Sequence, residues 1–177
     1  MEPRICLGFA PTAPGRGSRD GLCLLEQLYG RVAGASMPRL LKTERGKPYF
    51  ASGPWHCSIT HTESLVCCAL APFPLGVDGE RLDRKLRPGL PDKVLAPGEL
   101  EDWRGDSETL LTYWVLKEAY VKYTGQGLRG YPRDLCFRLP PGGPRLEGSD
   151  LWFRLLKHED HILALCAPAP APVRLML

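Results

Sequence analysis

The order of apolar patterns along the chain predicts a fold of mixed helices and strands, in which a helix followed by strands occurs twice. Three observations carry this. Leu22, Leu25, Leu28, Tyr29 and Val32 recur at helical spacing, and residues 109–123 form a second, longer helical stretch that is apolar nearly all round. Short apolar runs such as 65–71 and 162–167 are bounded by turn residues and read as buried strands. Gly 19 and Pro 18 in 177 residues call for many turns and short elements, which excludes long coiled coils. Hydrophobic residues at 44% and charged residues at 24% are globular values and exclude wholesale disorder.

In order, an apolar run at 5–10 precedes a helix that Ser18 can cap and Gly34 ends. A basic turn containing Gly46 and Pro48 leads to an extended piece, then to residues 55–62 and the strand 65–71. Pro72 and Pro74 make a turn into a strand at 75–80. Residues 91–94 and 97–103 read as two short helices, with Pro97 at the first position of the second. The helix 109–123 is stopped by Gly125 and Gly127. A strand at 135–139, a Pro/Gly loop at 140–148 and a hairpin of 151–156 with 162–167 follow, and 168–172 reads as an Ala/Pro linker.

Lys plus Arg number 23 against 20 Asp plus Glu, a net charge of +3. That excess is too mild for non-specific nucleic-acid binding and suits a local pocket for phosphate groups. No apolar run approaches the ~20 residues of a membrane helix. The first residues carry no secretory pattern, so a cytoplasmic monomer is expected, with no nucleic-acid or membrane partner. The seven cysteines lack zinc or redox spacing and read as reduced, packed side chains.

Three clusters carry chemistry. On the helix 109–123, with Trp114 at zero, Glu118 falls at about +40°, inside the apolar stripe of Leu110, Leu111, Val115 and Val121; Lys122 lies at about +80° and Lys117 at about −60°. An inward carboxylate must be paired or bound, so Glu118 either forms an i, i+4 ion pair with Lys122 or faces a ligand. Asp78 and Glu80 are two residues apart and share one strand face, with Gly79 between them allowing close approach. They are either solvent-facing acids or, with Glu118, oxygen ligands for Mg²⁺. Lys42, Arg45 and Lys47 cluster before Pro48, and His61 sits between Thr60 and Thr62; each is either an ordinary surface feature or a phosphate contact.

Read in order, Gly46–Lys47–Pro48, Ser58–Ile59–Thr60–His61–Thr62, Gly76–Val77–Asp78–Gly79–Glu80 and Trp114–Val115–Leu116–Lys117–Glu118–Ala119–Tyr120–Val121–Lys122 resemble the signature strings of the 4′-phosphopantetheinyl transferase superfamily, in its larger pseudo-dimeric type. Gly125–Gln126–Gly127–Leu128 is similar to the family as well, while Ser58 replaces its usual Asn and Thr60 its usual Ser. The resemblance implies an α+β architecture of two similar α/β halves, residues 1–74 and 75–177, in a pseudo-twofold arrangement with the ligand in the cleft between them. It implies coenzyme A as co-substrate, an acyl or peptidyl carrier protein as partner, and Mg²⁺, or Mn²⁺, as cofactor. Asp78, Glu80 and Glu118 are the implied metal ligands. Lys42, Arg45, Lys47, Ser58, Thr60, His61 and Asp78 are implied coenzyme A contacts, and Lys117, Glu118 and Lys122 are implied contacts to its pyrophosphate. Glu118 and Lys122 are the implied catalytic pair, taking the carrier serine's proton and stabilising the leaving phosphate. The basic stretch Arg81, Arg84, Lys85 and Arg87 is either a solvated loop or a dock for an acidic carrier helix. A catalytically weak or inactive member that only binds coenzyme A or a carrier is the alternative.

Overall fold

Residues 65–71 carry no charged side chain because the strand they form is covered on both faces. The computed structural model describes residues 3–127 and 132–177, so Leu128 of the glycine-rich stretch lies outside the described residues. Within them β1 (Ile5–Pro11), α1 (Gly17–Ala33), a hairpin of β2 (Leu40–Lys42) and β3 (Pro48–Phe50), β4 (His56–His61) and β5 (Leu65–Ala71) come first. They are followed by β6 (Gly76–Arg81), α2 (Leu90–Val94), α3 (Pro97–Asp102), α4 (Ser107–Thr124), a hairpin of β7 (Phe137–Arg138) and β8 (Arg145–Leu146), β9 (Trp152–His158), β10 (His161–Ala167) and β11 (Val173–Leu175). The fold is α+β. In the first sheet β5 pairs antiparallel with both β1 and β4; in the second β10 pairs antiparallel with both β6 and β9. The order strand, helix, hairpin, two strands thus occurs twice with the same pairing.

Strand alternation sorts the core into three layers. Val66, Cys68 and Leu70 of β5 face Leu24, Leu25 and Leu28 of α1. Ile162, Ala164 and Cys166 of β10 face α4. The opposite faces of both strands, Cys67, Ala69 and Ala71 against Leu163, Leu165 and Ala167, meet in a shared central layer. Sandwiching between a helix and another sheet explains why β5 and β10 read as unbroken apolar runs rather than alternating ones.

The boundaries differ from the sequence reading at several points. Helix α1 begins at Gly17 with Arg16 before it and no side-chain cap, so Ser18 is inside the helix rather than its cap. Helix α4 begins two residues earlier than the periodicity suggested, because the Asp106 carboxylate accepts from the Thr109 amide at 2.7 Å. The expected strand 135–139 shrinks to two residues, paired with Arg145–Leu146 from the loop. Residues 173–175 form β11, parallel to β1, a strand too short to announce itself. Met176 and Leu177 beyond it pack beside α1, and Arg31 donates to the Met176 carbonyl at 2.5 Å.

Candidate active site

The side of β6 that faces α4 carries Gly76, Asp78 and Glu80 in succession, because alternate residues share a face. Gly76 lets the helix come down onto the strand: a Cβ there would collide with the Ala119 carbonyl oxygen and lie 2.6 Å from the Tyr123 amide nitrogen. Seating α4 this closely brings Lys122 over Asp78, and its amine reaches the Asp78 carboxylate at 2.8 Å and the Ile59 carbonyl at 3.1 Å. Gly79 faces the other way and admits the Leu163 side chain, 3.1 Å from where its Cβ would stand, so the close neighbour here is protein.

Edge strand β4 of the first sheet lies beside edge strand β6 of the second, and two hydroxyls span the seam. Ser58 accepts from the Val77 amide at 3.0 Å, and Thr60 accepts from the Gly79 amide at 3.3 Å while donating to Asp78 at 3.0 Å. Both residues are buried. The hydroxyls take the place of ladder carbonyls for amides that would otherwise be orphaned, a role invisible before the two strands were known to be adjacent.

The acidic residues carry more negative charge than their surroundings cancel. Burial first, then the Asp78 carboxylate, push Glu118 up to about 7; Lys122 pulls it down and Glu80 adds to the rise. Burial also raises Glu80, opposed chiefly by Arg84. Glu118 does not pair with Lys122, whose amine is taken by Asp78. Glu80 pairs with Arg84. The donor chemistry, three carboxylates in mutual electrostatic contact, suits a hard divalent cation. Among the described residues no three acidic, histidine or cysteine side chains form a group that could hold an ion as they stand. Asp78, Glu80 and Glu118, the expected metal ligands, stand as three neighbouring carboxylates, two of which are held by basic side chains.

Two cavities flank this row. A small one of about 240 Å³ is lined by Arg45, Lys47, Ser58, Ile59, Val121 and Lys122. Lys47 caps α4, donating to the Tyr123 carbonyl at 2.5 Å with its stem against Gly125, and burial lowers its pKa from the usual lysine value. Arg45 reaches the Gln126 carbonyl at 3.5 Å. On the other side a groove of about 1090 Å³ is lined by His61, Glu80 and the basic residues Arg81, Arg84, Lys85 and Arg87. The exposed His61 ring packs on Gly17 at the start of α1, where a Cβ would lie 2.5 Å from it. Lys42 stays exposed on β2 and lines neither cavity.

Lys117 is the clear departure. Expected at the pyrophosphate, its side chain is 1% exposed, with its amine 2.5 Å from Glu99 and 2.7 Å from the Val94 carbonyl. Glu99, 0% exposed, also accepts from the Ala96 and Phe137 amides at 2.8 and 2.7 Å. The pair ties α3, α4 and β7 together and faces neither cavity. The sequence signal was there, since a lysine on an all-apolar helix needs a buried counter-charge, but nothing in the spacing singled out Glu99.

A sequence model of the 4′-phosphopantetheinyl transferase superfamily matches residues 74–166, which hold Asp78, Glu80, Glu118 and Lys122. A 4′-phosphopantetheinyl transferase of Bacillus subtilis is 34% identical over 94 residues, covering 48% of this chain and 40% of that protein. The 4′-phosphopantetheinyl transferase gsp of Aneurinibacillus migulanus is 29% identical over 92 residues, covering 49% of this chain and 38% of its own. The matched stretch thus spans less than half the length of these relatives. Among solved structures, a holo-[acyl-carrier-protein] synthase from Neisseria meningitidis aligns with a TM-score of 0.46 at 21% identity, covering 52% of this chain and 94% of that one. With more than half of its residues matched by the family model, this chain belongs to the 4′-phosphopantetheinyl transferase superfamily.

Proposed function

We propose that the chain transfers the 4′-phosphopantetheine of coenzyme A to a serine of an apo acyl or peptidyl carrier protein and releases adenosine 3′,5′-bisphosphate. The observation that supports this best is the gathering of Asp78, Glu80, Glu118 and Lys122 where β6 meets α4, inside the stretch that carries the family resemblance. Coenzyme A would lie along the seam between the two halves. Arg45 and Lys47 offer cations at the small cavity and His61 offers a ring nitrogen at the large groove. Asp78, Glu80 and Glu118 are the residues that would hold Mg²⁺ or Mn²⁺. A bound cation supplies neutralisation of the pyrophosphate.

The chain's own residues would do the rest. The serine oxygen attacks the phosphorus on the pantetheine side, and Glu118, which no ion pair holds among the described residues, receives its proton directly or through water. Lys122, already at the row's centre, stabilises charge on the departing phosphate. Such transfers depend mainly on positioning and charge. Arg81, Arg84, Lys85 and Arg87 would receive the acidic helix of the carrier. Among the described residues no helix is long and apolar enough to cross a membrane, which accords with protein and coenzyme A as the partners.

Incubating the protein with coenzyme A, Mg²⁺ and an apo carrier, then weighing the carrier, tests the reading. The expected result is a gain of one phosphopantetheine arm, lost with Glu118→Gln while the fold persists by circular dichroism; an unmodified carrier overturns it. The pairing of Asp78 with Lys122 and of Glu80 with Arg84 favours a second reading, a weak or inactive member. Coenzyme A binding by calorimetry without any mass gain is its signature.

A further inference from the structure

We propose that Arg84 is a built-in competitor for the divalent cation, occupying Glu80 until the ion displaces it and so setting how tightly the ion is held. The proposal rests on the metal reading above. Glu80 is the outermost acid of the row, at the end of β6, and its side chain is 18% exposed. Arg84 follows it in the turn after the strand, where its amide bonds the Arg81 carbonyl at 3.2 Å, and its guanidinium is paired to the Glu80 carboxylate. The same guanidinium lies 5.9 Å from the ring of Trp114 on α4, so it bridges the strand and the helix that carries Glu118.

The two basic partners of the row differ in kind. Lys122 is anchored by Ile59 as well as Asp78, and its side chain is 30% exposed. Arg84 is 44% exposed, opens onto the large groove, and gives up a water-screened ion pair and a loose contact with the Trp114 ring when it leaves. Exposed ion pairs are weak. The competition should accordingly weaken cation binding by about two- to fivefold rather than abolish it.

The test is a titration of Mn²⁺ into the full chain, followed by the spin-resonance signal of free Mn²⁺ and confirmed by Mg²⁺ displacement, so activity is not the readout. Arg84→Gln should bind Mn²⁺ about two- to fivefold more tightly than the parent chain. Arg87→Gln removes the same charge from the same groove without touching Glu80 and should leave the affinity unchanged. Equal affinities for Arg84→Gln and the parent, or an equal gain in Arg87→Gln, overturn the proposal. Asp78→Asn separates this failure from a failure of the metal reading. If it abolishes binding while Arg84→Gln changes nothing, the acids hold the ion and only the competition is wrong. If it binds like the parent, or if no protein in the series binds, the ion is not held by these acids and both fall.

Discussion

Helix α4 carries two lysines five residues apart, each paired to an acid, and the two pairs have opposite surroundings. Lys117 and Glu99 are 1% and 0% exposed, and Val94, Ala96 and Phe137 all contribute backbone groups that bond them. Lys122 and Asp78 are 30% and 10% exposed and sit beside a cavity and an under-neutralised Glu118. Burial lowers the Lys117 pKa, with Glu99 opposing. An ion pair removed from water with all its hydrogen bonds satisfied holds elements in register; one left at a cavity wall keeps its charges available to something that enters. Both lysines lie within one signature string, and only their partners tell them apart.

The buried pair should give the largest effect when broken. Lys117→Met removes the partner of a buried acid, Glu99, and unfolding stability should drop by about 3–5 kcal/mol, read from urea denaturation. Adding Glu99→Leu should recover part of it, since an apolar pair needs no compensation. A loss below about 1 kcal/mol would make the buried pair no different from a surface one. Next in size is Gly76→Ala. The atoms its methyl would meet are backbone, so α4 has to move off β6, at a cost of about 3 kcal/mol by the same measurement. Because α4 carries Glu118 and Lys122, this change should also lower transfer. Loss of stability alone would mean that the seating of the helix does not position the site.

How much of this was legible in the sequence follows the range of the interactions. Helix α4, its inward Glu118 and the shared face of Asp78 and Glu80 were readable because periodicity is local. The strands β5 and β10 were readable as apolar runs, although the runs did not say which sheets covered them. The partners of charged residues were not readable: Glu118 to Lys122 looked like the natural i, i+4 pair, and the structure gives Lys122 to Asp78 across 44 residues and Lys117 to Glu99 across 18. Ser58 and Thr60 were noted as ligand contacts from the resemblance, while their part in joining β4 to β6 depends on which strand edges meet. Strand β11 was missed because three residues supply too little pattern and its pairing is with the far end of the chain.

The seam hydroxyl comes next in size. Thr60→Val keeps the shape but removes the acceptor of the Gly79 amide and a donor to Asp78, and stability should fall by about 1–2 kcal/mol in the same denaturation series. Ser58→Ala, which orphans only the Val77 amide, should cost less. If Ser58→Ala costs as much as Thr60→Val, the contact to Asp78 contributes nothing to holding β6.

The smallest expected change in stability belongs to Lys122→Met, and it sharpens the contrast most. Asp78 keeps the Thr60 hydroxyl, Lys122 lies at the wall of the small cavity with its side chain 30% exposed, and the long apolar stem of the lysine is replaced by one of similar length. Stability should therefore change by less than about 1 kcal/mol. On the proposed function, transfer should fall by at least about a hundredfold, because the ammonium would there stabilise developing phosphate charge. Measured on the same preparation, by denaturation and by the mass of the carrier, the two lysines should separate cleanly: Lys117→Met costing fold, Lys122→Met costing chemistry. A Lys122→Met protein that transfers normally removes the residue from the reaction. One that unfolds as readily as Lys117→Met shows that the cavity-side pair holds the fold just as the buried one does, and that exposure does not divide the two roles on this helix.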